Sequence, residues 1–179
     1  TFIISSVDNL KFANKIADNK ISNQLTKISD FTKSTIIELR DTIWAMNTNE
    51  FSFEDLRSRI FNFIEKAKSA KENIEFKFTI DDKLKDIKLS SLVGINLYRT
   101  IQEAVNNSVK YSDGNEIAVK ILDANNQVNI EINDTGKGFD IQSKDFKGIG
   151  LQNMKKRAAI IGGNYTISSS NKGTIVSIK

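Results

Sequence analysis

The sequence predicts an α+β fold: a two-layer α/β sandwich, helices over one face of a mostly antiparallel sheet, preceded by an α-helical hairpin. Three observations predict it. Residues 1–47 carry apolar side chains at helical spacing. From residue 74 onward, stretches of period two alternate with helical patterns. Two of the connections between those stretches are hairpin-like, which suits a sheet covered on one face rather than a doubly wound one.

Residues 1–48 form the first predicted unit. Ile21, Leu25, Ile28, Ile36, Leu39, Ile43 and Met46 fall mostly at alternating spacings of three and four, with a polar break near Thr32, as in a heptad seam. Ile3, Ile4, Val7, Leu10, Ala13 and Ile16 carry a weaker version, and Ala17-Asp18-Asn19-Lys20 is a polar bend. A lone hairpin leaves its apolar stripe wet, so a homodimer through a four-helix bundle is expected. The other reading packs these helices on their own domain.

The second unit is expected over 49–179, after the polar break Asn47-Thr48-Asn49-Glu50. Ser52 and Asp55 make a capping-box variant at the start of a helix whose apolar face is Leu56, Ile60, Phe63, Ile64 and Ala67. Ile74, Phe76, Phe78 and Ile80 alternate with polar residues as a half-buried strand, and 81–86 is a charged loop. Ser90 or Ser91 caps a long helix ending near Ser112, with Asp113-Gly114-Asn115 as a turn. Ile117, Val119 and Ile121 pair as a hairpin with Val128, Ile130 and Ile132 across an Asn125-Asn126 turn. A helix over 151–161 ends at Gly162-Gly163. Two last strands, about 164–169 and 174–179, meet at Asn171-Lys172-Gly173.

Composition narrows the chemistry. The 179 residues are 39% hydrophobic and 27% charged, enough for a core in a soluble chain. The net charge of +4 is mild and the lysines are spread, so no nucleic-acid partner is expected. No apolar run approaches a membrane span, and no signal-peptide pattern is present. The start at Thr1-Phe2-Ile3-Ile4, with no initiator Met, reads as that of an excised fragment, and a cytoplasmic location is expected for it. There is no Cys and no His, which excludes thiol chemistry, disulfides, the common zinc sites and the usual general base. Catalysis must then rest on carboxylates, Lys, Tyr, backbone amides or a hard metal with oxygen ligands.

The long helix carries Glu103, Asn107 and Lys110 at i, i+4 and i+7, on one face. Leu97, Ile101, Ala104 and Ser108 form a neighbouring stripe suited to a sheet. Such polar faces are commonly just solvated, but Asn106-Asn107 in mid-helix is a poor helix-forming pair. Asp134 follows Val128, Ile130 and Ile132 at steps of two, so it lies on their inward face. It either caps the Thr135-Gly136 turn or receives a donor such as a purine amino group. Gly136 and Gly138 permit close approach to a ligand or mark a plain turn. Gly148 and Gly150 stand at a helix start, where free amides suit phosphate, or at an ordinary loop-to-helix junction. Neither the dinucleotide fingerprint nor the P-loop is present.

Taken together, E-x-x-x-N-x-x-K, D-x-G-x-G, G-x-G-L and G-T, in this order over residues 50–179, resemble the histidine-kinase ATPase family, in the superfamily of gyrase B, the Hsp90 chaperones and MutL. Tyr98-Arg99-Thr100-Ile101-Gln102-Glu103-Ala104, Gly148-Ile149-Gly150-Leu151-Gln152-Asn153-Met154-Lys155-Lys156-Arg157 and Leu39-Arg40-Asp41-Thr42-Ile43-Trp44-Ala45-Met46 are similar to the sensor kinases with a short ATP lid, here residues 139–147.

The resemblance implies a Bergerat-type fold that binds ATP and Mg²⁺. Asn107 would ligate the metal, and Glu103 would act beside it as a base or water-orienting group. Lys110 and Tyr111 would contact phosphate; relatives often carry His at the position of Tyr111. Asp134 would bind the adenine amino group, with Gly136 and Gly138 shaping that pocket and Thr174 holding adenine through water. Gly148, Gly150 and Leu151 would line the phosphates. The same resemblance makes residues 1–48 a truncated dimerisation and phosphotransfer hairpin without its phosphoacceptor His, so that this fragment alone would not autophosphorylate. The implied partner is a response-regulator receiver domain in two-component signalling. Any attachment of the parent protein to the inner membrane would fall to upstream segments. Two rival readings are a Ser/Thr kinase of the anti-sigma type, from the same superfamily, and a non-catalytic helical dimerisation module.

Overall fold

The structure is a computed structural model. It describes residues 21, 24–26, 28, 29, 31, 32, 35, 36 and 39 near the N-terminus, and then 50–124, 127–141 and 149–179. The expected first helix, its bend at 17–20, Trp44, Met46, the 47–49 break, the Asn125-Asn126 turn, Gly148 and most of the lid lie outside the described residues. The chain divides into two compact units, Thr1–Asn47 and Thr48–Lys179.

In the first unit the described residues are helical. Thr32 and Thr35 return their hydroxyls to the carbonyls of Ile28 and Phe31, four residues back. Among them Ile21, Ile28, Phe31 and Leu39 stand exposed.

The second unit begins with strand β1 (Glu50–Ser52) and helix α1 (Phe53–Ala70). The capping box forms: Asp55 N–H donates to Ser52 Oγ at 3.2 Å, and Ser52 N–H donates to Asp55 Oδ2 at 2.8 Å. Then come β2 (Glu75–Ile80), a short 3₁₀ turn (Asp82–Leu84) and β3 (Lys88–Ser90). Helix α2 (Ser91–Tyr111) starts at Ser90, whose Oγ accepts from Val93 N–H. Strands β4 (Glu116–Ala124) and β5 (Gln127–Asp134) precede helix α3 (Ile149–Ile160), and β6 (Tyr165–Ser170) and β7 (Gly173–Ile178) close the unit.

The main sheet has the order β2-β4-β5-β7-β6. Only β2 and β4 run parallel; the other neighbours are antiparallel. The expected sandwich with a mostly antiparallel sheet is therefore the observed one. A small pairing escapes sequence reading: β1 pairs antiparallel with β3. Three-residue strands are too short to show a period. The 81–86 stretch is more than a charged loop, because Leu84 is fully buried.

Side chains on the inward face line up in cross-strand rows. One row is Ile121, Ile130, Ile178 and Tyr165; the next is Val119, Ile132, Val176 and Ile167. These rows pack against the helical layer, where Leu97, Ile101, Ala104 and Val105 of α2 are buried with Leu56 and Ile60 of α1. The next row turns polar: Ile117, Asp134, Thr174 and Ser169. At this end the sheet stops supplying apolar surface to the core, and a cavity opens there.

Candidate nucleotide site

The cavity measures about 460 Å³. Its walls are α2 on one side, the polar sheet row on another and the start of α3 on a third. Apolar floor comes from Ile132, Met154, Ile167 and Val176.

Asp134 lies at its base, 3% exposed. An ionised carboxylate this deep needs donors, and it has three from the protein. Oδ1 accepts from the backbone N–H groups of Gly136 at 3.0 Å and Thr174 at 3.2 Å. Oδ2 accepts from the Ser108 hydroxyl at 2.7 Å. A carboxylate offers about four acceptor positions, so one on Oδ2 is left for whatever enters the cavity. Both readings of Asp134 hold at once: it caps its turn and it lines the site.

Gly136 plays a different part from Gly138. It is not among the cavity-lining residues. A Cβ there would strike the carbonyl oxygen of Ser112, and a Cβ at Gly114 would strike the Gly136 nitrogen. The turn after α2 and the turn after β5 thus touch backbone to backbone, with Lys137 N–H donating to Ser112 O at 2.9 Å. An exposed pair, Lys137 Nζ to Asp113 Oδ2 at 2.6 Å, bridges the same two turns, and the ammonium holds the Asp113 carboxyl below its usual range. Gly138 does line the cavity; it has φ +62°, and a side chain there would hit the Ser170 carbonyl.

Glu103, Asn107, Lys110 and Tyr111 all line the cavity along α2, as the i, i+4, i+7 spacing requires. Asn107 Nδ2 faces Glu103 Oε1 at 3.5 Å, the long limit of a hydrogen bond, which leaves the amide oxygen of Asn107 for another partner. Tyr111 is largely exposed at the rim. Opposite, Ile149, Gly150 and Leu151 begin α3 within the lining. First-turn amides of a helix have no partner inside it and carry its positive end, so this wall suits an anion. Gly150 backs onto Glu103: a Cβ there would run into Oε1.

Thr174 also lines the cavity, and its Oγ1 lies 2.9 Å from Ser169 Oγ. Apart from Gly136, which packs behind the site, and Gly148, outside the described residues, every site residue expected from sequence faces this one space. Sequence reading missed Ser108, Ser112, Phe139 and the apolar floor as site residues. A signal existed for Ser108, a hydroxyl on an otherwise apolar helical stripe, one residue after Asn107.

Residues 93–179 match the family model described as histidine kinase-, DNA gyrase B-, and HSP90-like ATPase. Over this stretch the chain is similar to the ATPase domains that the model describes. Among particular proteins, the sensor protein VraS of Staphylococcus aureus is 32% identical over 97 residues, 54% of this chain and 28% of VraS. The chain thus spans less than a third of the length of that relative. In fold it is similar to the histidine kinase AdeS of Acinetobacter baumannii, with a TM-score of 0.65 at 14% identity over 98% of this chain and 93% of AdeS. It is also similar to full-length ShkA, solved in complex with AMPPNP, with a TM-score of 0.63 at 14% identity over 98% of this chain and 41% of that one. Among the described residues no helix is long and apolar enough to cross a membrane.

Proposed function

We propose that this chain handles ATP for a sensor histidine kinase, presenting the γ-phosphoryl for transfer to a His and onward to a response-regulator Asp. The observation that carries the reading is Asp134: a buried carboxylate, saturated on one oxygen and open on the other, facing a cavity that ends at a helix N-terminus. An adenine amino group supplies the missing donor at one end, and the phosphates meet the amides of Gly150 and Leu151 at the other. Gly148, which precedes α3 in sequence, would also contact the phosphates. Lys110 and Tyr111 stand at the rim beside the phosphates, and Thr174 meets the purine ring directly or through water. Gly138 lets the loop backbone pass close to the ring, and Gly136 fixes Asp134 from behind.

Phosphoryl transfer asks a protein mainly for positioning and charge stabilisation. The Asn107 amide oxygen and the Glu103 carboxylate are hard oxygen donors on one cavity wall, the chemistry Mg²⁺ takes. Among the described residues no group of three or more acidic, His or Cys side chains gathers. That suits an ion held by one or two protein oxygens, with phosphates and water completing its shell. Asn107 would hold it, and it would neutralise phosphate charge. Glu103 would orient the attacking group or take its proton.

The chain contains no His, so the acceptor lies outside these 179 residues. The same fact keeps a Ser/Thr kinase of the anti-sigma type as the second reading. Residues 1–48 serve as the dimerisation hairpin and 49–179 as the catalytic domain; exposed Ile21, Ile28 and Leu39 are the apolar face that a homodimer would cover. The deciding experiment is calorimetric titration with ADP and a non-hydrolysable ATP analogue, with and without Mg²⁺. Magnesium-assisted binding supports the reading, and no binding to a folded sample overturns it. Incubation with ATP and either a His-bearing hairpin or serine substrates separates the two kinase classes.

A further inference from the structure

The geometry points to Ser169 as a positioning residue that sets the Thr174 hydroxyl as a hydrogen-bond donor into the cavity. This rests on the nucleotide-site reading and deepens it. Ser169 and Thr174 are register partners across β6 and β7, at the end of the polar row that contains Asp134. Ser169 does not line the cavity; Thr174 does.

The Ser169 hydroxyl has two neighbours. Its oxygen accepts from the Phe139 N–H at 2.9 Å, and Thr174 Oγ1 lies 2.9 Å away. Between two hydroxyls either can donate, and the surroundings decide. Were Thr174 the donor, Ser169 Oγ would accept twice, and its own proton would lack an acceptor among the described hydrogen bonds. A half-buried hydroxyl proton left without a partner is the costly arrangement. With Ser169 donating, Phe139 N–H, Ser169 O–H and Thr174 O–H form one directed chain. The Thr174 proton is then released toward the cavity, where a ring nitrogen of a purine or a bridging water accepts it. The Thr174 N–H is meanwhile held by Asp134 Oδ1, which keeps the residue from turning away.

The test is nucleotide affinity measured by titration with Mg-ADP. Wild-type protein comes first: if it does not bind, the nucleotide-site reading fails, and Ser169 is not the reason. With wild type binding, Ser169→Ala is expected to weaken affinity about three- to tenfold, the worth of one hydrogen bond. Ser169→Thr keeps the Oγ on a strand that favours β-branching, and should restore affinity to within about twofold. In a Thr174→Val background, which has no hydroxyl to orient, adding Ser169→Ala should change affinity by less than about twofold. Unchanged affinity in Ser169→Ala, or the same loss with and without the Thr174 hydroxyl, overturns the inference. Thermal unfolding of each variant shows whether the fold is retained; should Ser169→Ala not fold, Ser169→Cys, with its weaker donor, is read by the same criteria.

Discussion

The hydroxyl of Ser108 and the carboxylate of Asp134 meet at 2.7 Å, joining the helical layer to the sheet where the core gives way to the cavity. Both are buried, and the contact decides which lone pair of Asp134 remains for a ligand.

That arrangement makes Asp134→Asn more informative than a simple loss. The amide oxygen can keep the Gly136 and Thr174 N–H groups, and the Ser108 hydroxyl can rotate to accept from the new NH₂. The fold should survive, with a change in stability of about 1–2 kcal/mol. The remaining amide proton then faces the cavity as a donor where an acceptor was. ADP affinity should fall by about tenfold or more, and IDP, with an oxygen at the purine 6-position, should lose less than ADP or gain. Parallel titrations with the two nucleotides read the difference.

Gly150 and Gly173 should separate chemistry from folding. A methyl at Gly150 meets the flexible end of Glu103, so Gly150→Ala should fold, displace that carboxylate, and lower the rate of phosphoryl transfer to an added His-bearing hairpin more than ADP affinity. At Gly173 the φ is +123° and a methyl would strike the Asp134 carbonyl, which is backbone and cannot yield. Gly173→Ala should destabilise by about 2 kcal/mol or more. Thermal unfolding compared with steady-state kinetics distinguishes the two.

Tyr165 carries a buried hydroxyl with no hydrogen-bond partner among the described residues, and burial pushes its pKa up to about 12. The unfolded phenol ionises near 10. Between these values the unfolded state loses the proton first, so stability falls as pH rises from about 10 to 12. Tyr165→Phe removes both the orphan hydroxyl and the titration. It should be neutral or stabilising at pH 7 and should flatten the alkaline limb; denaturant melts at pH 7 and 11 measure it.

Ser52 caps α1 away from the cavity. Ser52→Ala should lower stability by about 1 kcal/mol in a denaturant melt and leave nucleotide affinity unchanged.

What the sequence determined by itself is what local spacing and local chemistry can carry. The 3.6 period of α2 placed Glu103, Asn107 and Lys110 on one face, and the period of two along β5 turned Asp134 inward with Ile130 and Ile132. Capping residues marked the starts of α1 and α2. Only the tertiary structure decided the rest, because it depends on residues far apart in the chain. Ser108 is 26 residues from Asp134, and Ser169 is 30 from Phe139. The short β1–β3 pairing and the contact of Gly136 with Ser112 likewise arise from backbone approach, which leaves no period to read. A side chain's direction is set locally, but the partner that completes its hydrogen bonds is chosen by the packing of the whole sheet against its helices.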